Sequence, residues 1–297
     1  MFSGSMVAIV TPMTADGELD WSAWDRLLDF HVNEGSDGIV VAGTTGESPV
    51  LSLEEIEGLT SRAVARCRGK LKVIVGAGTH ATQGTAARTR QLSRLGVDGV
   101  MLVTPYYNKP PQEGLYRHFM AAADASAAPV ILYNVPSRTA VDLLPSTVAR
   151  LARHPRIVAI KEATGSLGRA RETLELCPPE FTLLSGDDAT AIELMSVGAK
   201  GVISVSANVA PRRMHEACKA ALCGDLAKAR AIDASLQPLH KDLFVEASPV
   251  PVKWAVARMG IIGNTIRLPL VELSPAHRDT VLRAMQAAGV TLEDQAA

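Results

Sequence analysis

The chain has 297 residues, of which 47% are hydrophobic and 21% charged, with a formal net charge of −1. That length accommodates one α/β barrel of ~250 residues plus an extension, and the near-zero charge leaves no electrostatic footprint for nucleic acid or an anionic membrane. The expected partners are therefore small molecules, with no nucleic acid and no membrane. The start, Met1-Phe2-Ser3-Gly4-Ser5, carries no basic n-region, and the apolar run 6–10 ends at Thr11-Pro12, so no signal peptide is expected. No run reaches the ~18 apolar residues of a membrane span. Cys67, Cys177, Cys218 and Cys223 form neither a CxxC pair nor a disulfide framework, which points to a reducing, cytoplasmic compartment.

In chain order, apolar, β-branched runs at residues 7–10, 39–41, 73–75, 100–103, 130–132, 157–160, 182–184 and 202–204 read as eight strands. Helical patterns lie between them at 21–34, 53–68, 85–95, 112–126, 145–152, 168–176 and 190–197, recurring as βα units do. Near-continuous apolar strands imply burial on both faces and parallel pairing. An open doubly wound sheet is the alternative, but eight even units favour a (β/α)₈ TIM barrel. After the eighth strand, helical patterns at 211–222, 226–243, 250–259 and 275–288 form a C-terminal extension, and the tail 292–297 is expected to fray. Residues 1–210 are expected to form the barrel, closed by its last helix from the following segment, with 211–297 packed on it.

Active sites of such barrels lie at the C-terminal ends of the strands, and here these ends are polar. Strand two leads into Gly43-Thr44-Thr45-Gly46-Glu47-Ser48, strand four into Thr104-Pro105-Tyr106-Tyr107-Asn108, and strand five into Tyr133-Asn134-Val135-Pro136-Ser137-Arg138-Thr139. Lys161 closes strand six, Gly186-Asp187-Asp188 follows strand seven, and Val205-Ser206-Ala207-Asn208 follows strand eight.

Alternation places Lys161 on the face of Ile157 and Ala159, pointing into the barrel, while Glu162 faces the other way. A structural lysine with a distant carboxylate partner is one reading; a nucleophile is the other. An amine with a pKa of ~10.4 is only about 0.1% neutral at physiological pH. Apolar walls that lower it by ~3 units would free a neutral amine to form a Schiff base.

Tyr106, Tyr107 and Tyr133 are three of the four tyrosines. With Thr44 they suit a proton-carrying hydroxyl chain, and the exposed pair also reads as an interface patch. Gly43-Thr44-Thr45-Gly46 suits a small carboxylate, and Arg138 either forks onto a second one or is a surface charge.

Gly76-Ala77-Gly78-Thr79-His80-Ala81 matches a dinucleotide fingerprint without the acidic residue that should end the next strand. His215 and Cys218 share a helix face but lack further metal ligands. The basic cluster Arg150, Arg153, His154 and Arg156 reads as a solvated helix end.

The four motifs, Gly43 to Ser48, Thr104 to Tyr107, Tyr133 to Thr139 and Ile160-Lys161-Glu162-Ala163, together resemble the dihydrodipicolinate synthase family of the N-acetylneuraminate lyase superfamily, from Met1 to about Gly289. The resemblance implies an imine between Lys161 and pyruvate, whose enamine attacks L-aspartate 4-semialdehyde to give 4-hydroxy-tetrahydrodipicolinate in diaminopimelate and lysine biosynthesis. It implies Thr44, Tyr107 and Tyr133 as a proton relay, Tyr107 reaching in from a partner subunit, and Arg138 as the grip on the semialdehyde carboxylate. Thr45 would hold the pyruvate carboxylate, and Gly186 and Ile203 would line the pocket through backbone groups. No metal or organic cofactor is implied. The assembly implied is a homotetramer of two tight dimers, with Tyr106 and Tyr107 at an interface.

A sister lyase or dehydratase using another acceptor shares the fold and the lysine, and a catalytically inert barrel with a binding role would be expected to lose Lys161 or the hydroxyl cluster. In lysine-inhibited relatives, lysine binds beside the positions of Ser48 and Tyr106. The polar positions that help hold it are Leu53, Ile56 and Gly84 here, while Pro49 stiffens the loop and His80 stands at another lining position, so weak or absent inhibition by lysine is expected.

Overall fold

The computed structural model describes residues 2–290; the tail 292–297 lies outside the described residues. Eight parallel strands close into a barrel in chain order: β1 (Gly4–Ala8), β2 (Gly38–Val41), β3 (Lys72–Gly76), β4 (Gly99–Val103), β5 (Val130–Asn134), β6 (Ile157–Glu162), β7 (Thr182–Ser185) and β8 (Gly201–Ser204). The helices that alternate with them are α1 (Trp21–Asn33), α2 (Leu53–Cys67), α3 (Thr82–Leu92), α4 (Gln112–Ala125), the single turn α5 (Pro136–Thr139), α6 (Pro145–Leu151), α7 (Leu167–Leu176) and α8 (Ala191–Ser196). α9 (Pro211–Leu222) packs on β1 and β8, and α10 (Leu226–Asp242), α11 (Val250–Arg258) and α12 (Pro275–Ala287) follow.

Local chemistry sets many of the helix starts. Asp20 accepts from Ala23 N at 2.9 Å to begin α1, and Ser52 and Glu55 form a reciprocal capping box at α2. Proline occupies the first helical position of α6, α9 and α12, where its missing N–H has no intrahelical role. α3 starts three residues earlier than its sequence pattern suggests, because Ala81 provides no side-chain cap to mark the boundary.

Two apolar layers follow from strand alternation. Met6, Ala8, Val40, Ile74, Met101, Ile131, Ala159, Leu184 and Ile203 fill the barrel, with Phe2 beneath them. A larger cluster lies between the strands and the helices. The first strand runs over Gly4–Ala8 rather than residues 7–10: Gly4 N donates to Lys200 O at 2.8 Å, whereas Val10 N leaves the ladder for Asn208 Oδ1 at 3.0 Å. Closure brings the β1 and β8 backbones so near that a Cβ on Gly201 (φ +155°) would lie 2.1 Å from Gly4 O. Only glycine fits there.

Candidate active site

A register shift between β5 and β6 skips one residue, so that Val130 pairs with Ile157 but Ile131 pairs with Ala159. This bulge corrects the simple alternation expected for β6. Ile157 joins the outer layer, while Ala159 belongs to the barrel interior. Lys161, two residues on, is buried at 5% exposure and stands beside Tyr133, its register partner on β5. Its Nζ lies 4.3 Å from the centroid of the Tyr133 ring. Glu162 turns outward, where Asn134 Nδ2 and Thr164 N donate to it at 3.1 and 2.8 Å.

The structure also contains a buried lysine of the paired kind. Lys253 Nζ is 2.5 Å from Glu47 Oε1, with both side chains 1% exposed. Lys161 has no such bridge among the described residues. Burial pulls its ammonium down from the usual 10.5 to about 8; the negative charge of Asp188 opposes this, and the positive charge of Arg138 adds to it. At neutral pH an appreciable fraction of the amine is thus unprotonated. Burial pushes the Tyr133 phenol up, against the influence of Arg138 and of the Thr44 hydroxyl, so it stays protonated and able to donate.

The loop after β2 is held tightly. Gly46 N and Ser48 N donate to Gly43 O at 3.1 and 3.3 Å, and Thr11 Oγ1 donates to Gly46 O at 2.8 Å. A Cβ on Gly46 would meet Ile9 O at 3.0 Å. Glu47 takes a left-handed conformation (φ 58°) and sends its carboxylate back to Lys253 and to Arg267 N. The C-terminal extension thereby fixes the loop that presents Thr44 and Thr45, through Lys253 of α11 and Arg267 beyond it.

Thr44, Thr45, Tyr133, Arg138, Lys161 and Gly186 converge on one cavity of about 130 Å³. Arg138 sits in α5, a turn the sequence pattern did not reveal, and its Nη2 donates to Ser248 O at 3.2 Å. Gly186 N donates to Glu162 O at 2.8 Å, which tucks the end of β7 under Lys161. Ile203 is packed inside the barrel, and Val205, two residues on, lines the cavity. Tyr107 does not join the cavity of its own chain: it is 91% exposed, at φ 76°. Tyr106 packs edge-on against His80, centroids 5.4 Å apart, beside a second cavity of about 400 Å³.

Asp187, Phe244 and Ser248 also line the Lys161 cavity. Asp187 was visible as a polar strand end. Phe244 and Ser248 follow α10, and no periodicity or motif indicates that this segment returns to the barrel mouth.

Known proteins are similar to this chain along nearly its whole length. The 4-hydroxy-tetrahydrodipicolinate synthase of Stutzerimonas stutzeri is 53% identical over 290 residues, covering 98% of this chain and 99% of that one. The chloride-inhibited dihydrodipicolinate synthase of Acinetobacter baumannii, crystallised with pyruvate, superposes with a TM-score of 0.96 at 44% identity, covering 98% of this chain and 100% of its own. Dihydrodipicolinate synthase from Aquifex aeolicus gives 0.96 at 43% identity, covering 99% and 100%. With its family model matched over residues 1–288, the chain belongs to the dihydrodipicolinate synthetase family.

Proposed function

We propose that the chain condenses pyruvate with L-aspartate 4-semialdehyde to give 4-hydroxy-tetrahydrodipicolinate, a step of diaminopimelate and lysine biosynthesis. The observation that carries this reading is the buried amine of Lys161 at the cavity, with no bridging carboxylate among the described residues and its pKa lowered to about 8 by burial. Its neutral form attacks the keto carbon of pyruvate, and the carbinolamine loses water to leave an iminium. Loss of a methyl proton gives the enamine, whose carbon bonds to the aldehyde carbon while the aldehyde oxygen gains a proton. The acceptor's amine then attacks the iminium carbon, closing the ring and releasing Lys161.

Thr44, Tyr133 and a partner subunit's copy of Tyr107 serve as the proton relay in this proposal. Thr45 holds the pyruvate carboxylate, Arg138 grips that of the semialdehyde, and Gly186 and Ile203 contribute backbone groups, the Ile203 side chain itself lying inside the barrel. The high exposure of Tyr107 supports its use by a neighbouring chain and fits a homo-oligomer, which we propose to be a tetramer of two dimers. The proposed boundary at residue 210 leaves the extension contributing Phe244 and Ser248 to the site. Among the described residues no helix is long and apolar enough to cross a membrane, and we place the enzyme in the cytoplasm.

Borohydride reduction with pyruvate, followed by peptide mapping, is expected to label Lys161 alone. Product formation from pyruvate and the semialdehyde in a coupled assay then fixes the acceptor. Labelling without turnover of the semialdehyde would point to a sister lyase with another acceptor, and labelling elsewhere would overturn the site.

A further inference from the structure

Behind the cavity wall lies a carboxylate that the chemistry above does not use. Asp188, just past β7, is 3% exposed, and its Oδ2 accepts from Val205 N and Ser206 N, both at 2.9 Å. Its Oδ1 is buried without a hydrogen-bond partner among the described residues. A buried acceptor left unmet is expensive unless its charge is used. Val205 lines the Lys161 cavity, so the group that holds Asp188 is part of the cavity wall. The Lys161 stem rests on Gly186, two residues before Asp188, and Lys161 pairs with Leu184 across β6 and β7.

The surrounding charges are few. Asp188 favours the cationic form of Lys161 and Arg138 disfavours it. Asp187 lines the cavity and receives the Thr190 hydroxyl at 2.6 Å. On the far side, Ser206 Oγ is 2.7 Å from His240 Nδ1, and His240 Nε2 is 3.3 Å from Asp233 Oδ1. This chain braces the turn whose N–H groups hold Asp188.

We propose that Asp188 is the counter-charge of Lys161: a positioning residue that touches no substrate but whose buried carboxylate stabilises positive charge on Nζ, first as ammonium and then as iminium. The proposal rests on the imine chemistry above. An ammonium in a dry site escapes its desolvation penalty by losing a proton, but an N-alkyl iminium that has yet to lose its carbon proton must remain charged there. A negative charge fixed in advance lowers that penalty without reorganisation during the reaction.

The test uses the full chain and Asp188→Asn, which keeps an oxygen for the two N–H donors and removes the charge. Without pyruvate, carbamylation of Lys161 by cyanate, followed against pH by peptide mass spectrometry, reads the amine directly. The wild-type midpoint is expected near 8 and that of Asp188→Asn about one pH unit lower. At about pH 9 and above, where the free amine is neutral in both chains and only the iminium feels the lost charge, the pyruvate needed for half-maximal borohydride trapping should rise about tenfold. His240→Asn loosens the brace but leaves the Asp188 charge, and its midpoint should match wild type. An unmoved midpoint in Asp188→Asn, or an equal fall in His240→Asn, overturns the proposal. A wild-type chain that traps no pyruvate overturns the imine reading instead, and the carbamylation midpoint still decides the role of Asp188.

Discussion

The stem of Lys161 lies against the bare backbone of Gly186: a Cβ at 186 would come within 3.0 Å of Lys161 Cε, 3.1 Å of its Cγ and 2.7 Å of Ala163 Cβ. Gly186→Ala should therefore push the amine from its attacking position. A displacement of ~1 Å costs on the order of 100-fold in rate, and overpacking costs ~1–3 kcal/mol in stability. Steady-state kinetics beside urea denaturation would separate the two effects; wild-type turnover would show that the contact does not place the nucleophile.

Lys161 also carries a stability consequence. Its folded-state value of about 8 lies below the ordinary 10.5, so between those values the unfolded chain binds more protons and stability rises with pH. Below about 8 the full penalty of burying the cation is present, on the order of 3 kcal/mol. Lys161→Met removes that penalty. The variant is expected to be inactive yet more stable than wild type by roughly 1–3 kcal/mol at neutral pH, with the gap shrinking as pH rises past 8. Denaturant midpoints at several pH values would check this, and a constant gap would contradict it.

Arg138 shares the cavity with Lys161 but lies on α5, beyond the strand end. Arg138→Ala is expected to leave pyruvate trapping near wild type and to raise the half-saturating semialdehyde concentration by about 10- to 150-fold, the loss of one charge-assisted contact. Arg138→Lys should recover little, because an ammonium lacks the planar fork. Equal damage to trapping and to acceptor use would give Arg138 a general role.

Free lysine is expected to inhibit weakly or not at all. The cavity beside Tyr106 is lined by Ser48, Pro49, His80 and Arg88, with no carboxylate among its lining residues, and Ile56 is packed in the core. Two ammonium groups entering such a space meet cationic or neutral neighbours and lose hydration without a partner. Initial rates at increasing lysine, with both substrates near half-saturation, would show this; strong inhibition at submillimolar lysine would refute it.

Apolar runs made the strands legible because a parallel barrel buries both faces of every strand. Polar residues after those runs marked Thr44, Tyr133, Lys161 and Gly186 as neighbours at the barrel mouth. What could not be read is tertiary. The bulge that turns Ile157 outward depends on the register between β5 and β6, and the approach of Gly4 to Gly201 depends on closure. The single turn carrying Arg138 is too short for a helical period. Phe244 and Ser248 reach the site through packing of α10 and α11, which no local pattern encodes. Asp188 was visible as a polar residue, but its orphaned oxygen appears only once Val205 and Ser206 close over it.

A phenol as exposed as that of Tyr107 also has a genetic corollary under the proposed exchange between subunits. Tyr107→Phe and Lys161→Ala chains would each be defective alone, since one lacks the relay group and the other the nucleophile. In a mixed dimer, the Tyr107→Phe protomer keeps its lysine and receives an intact tyrosine from its neighbour, so one of the two sites is whole. Two crippled alleles expressed together should then complement each other, whereas a relay confined within one chain would leave the mixture as inactive as its parents.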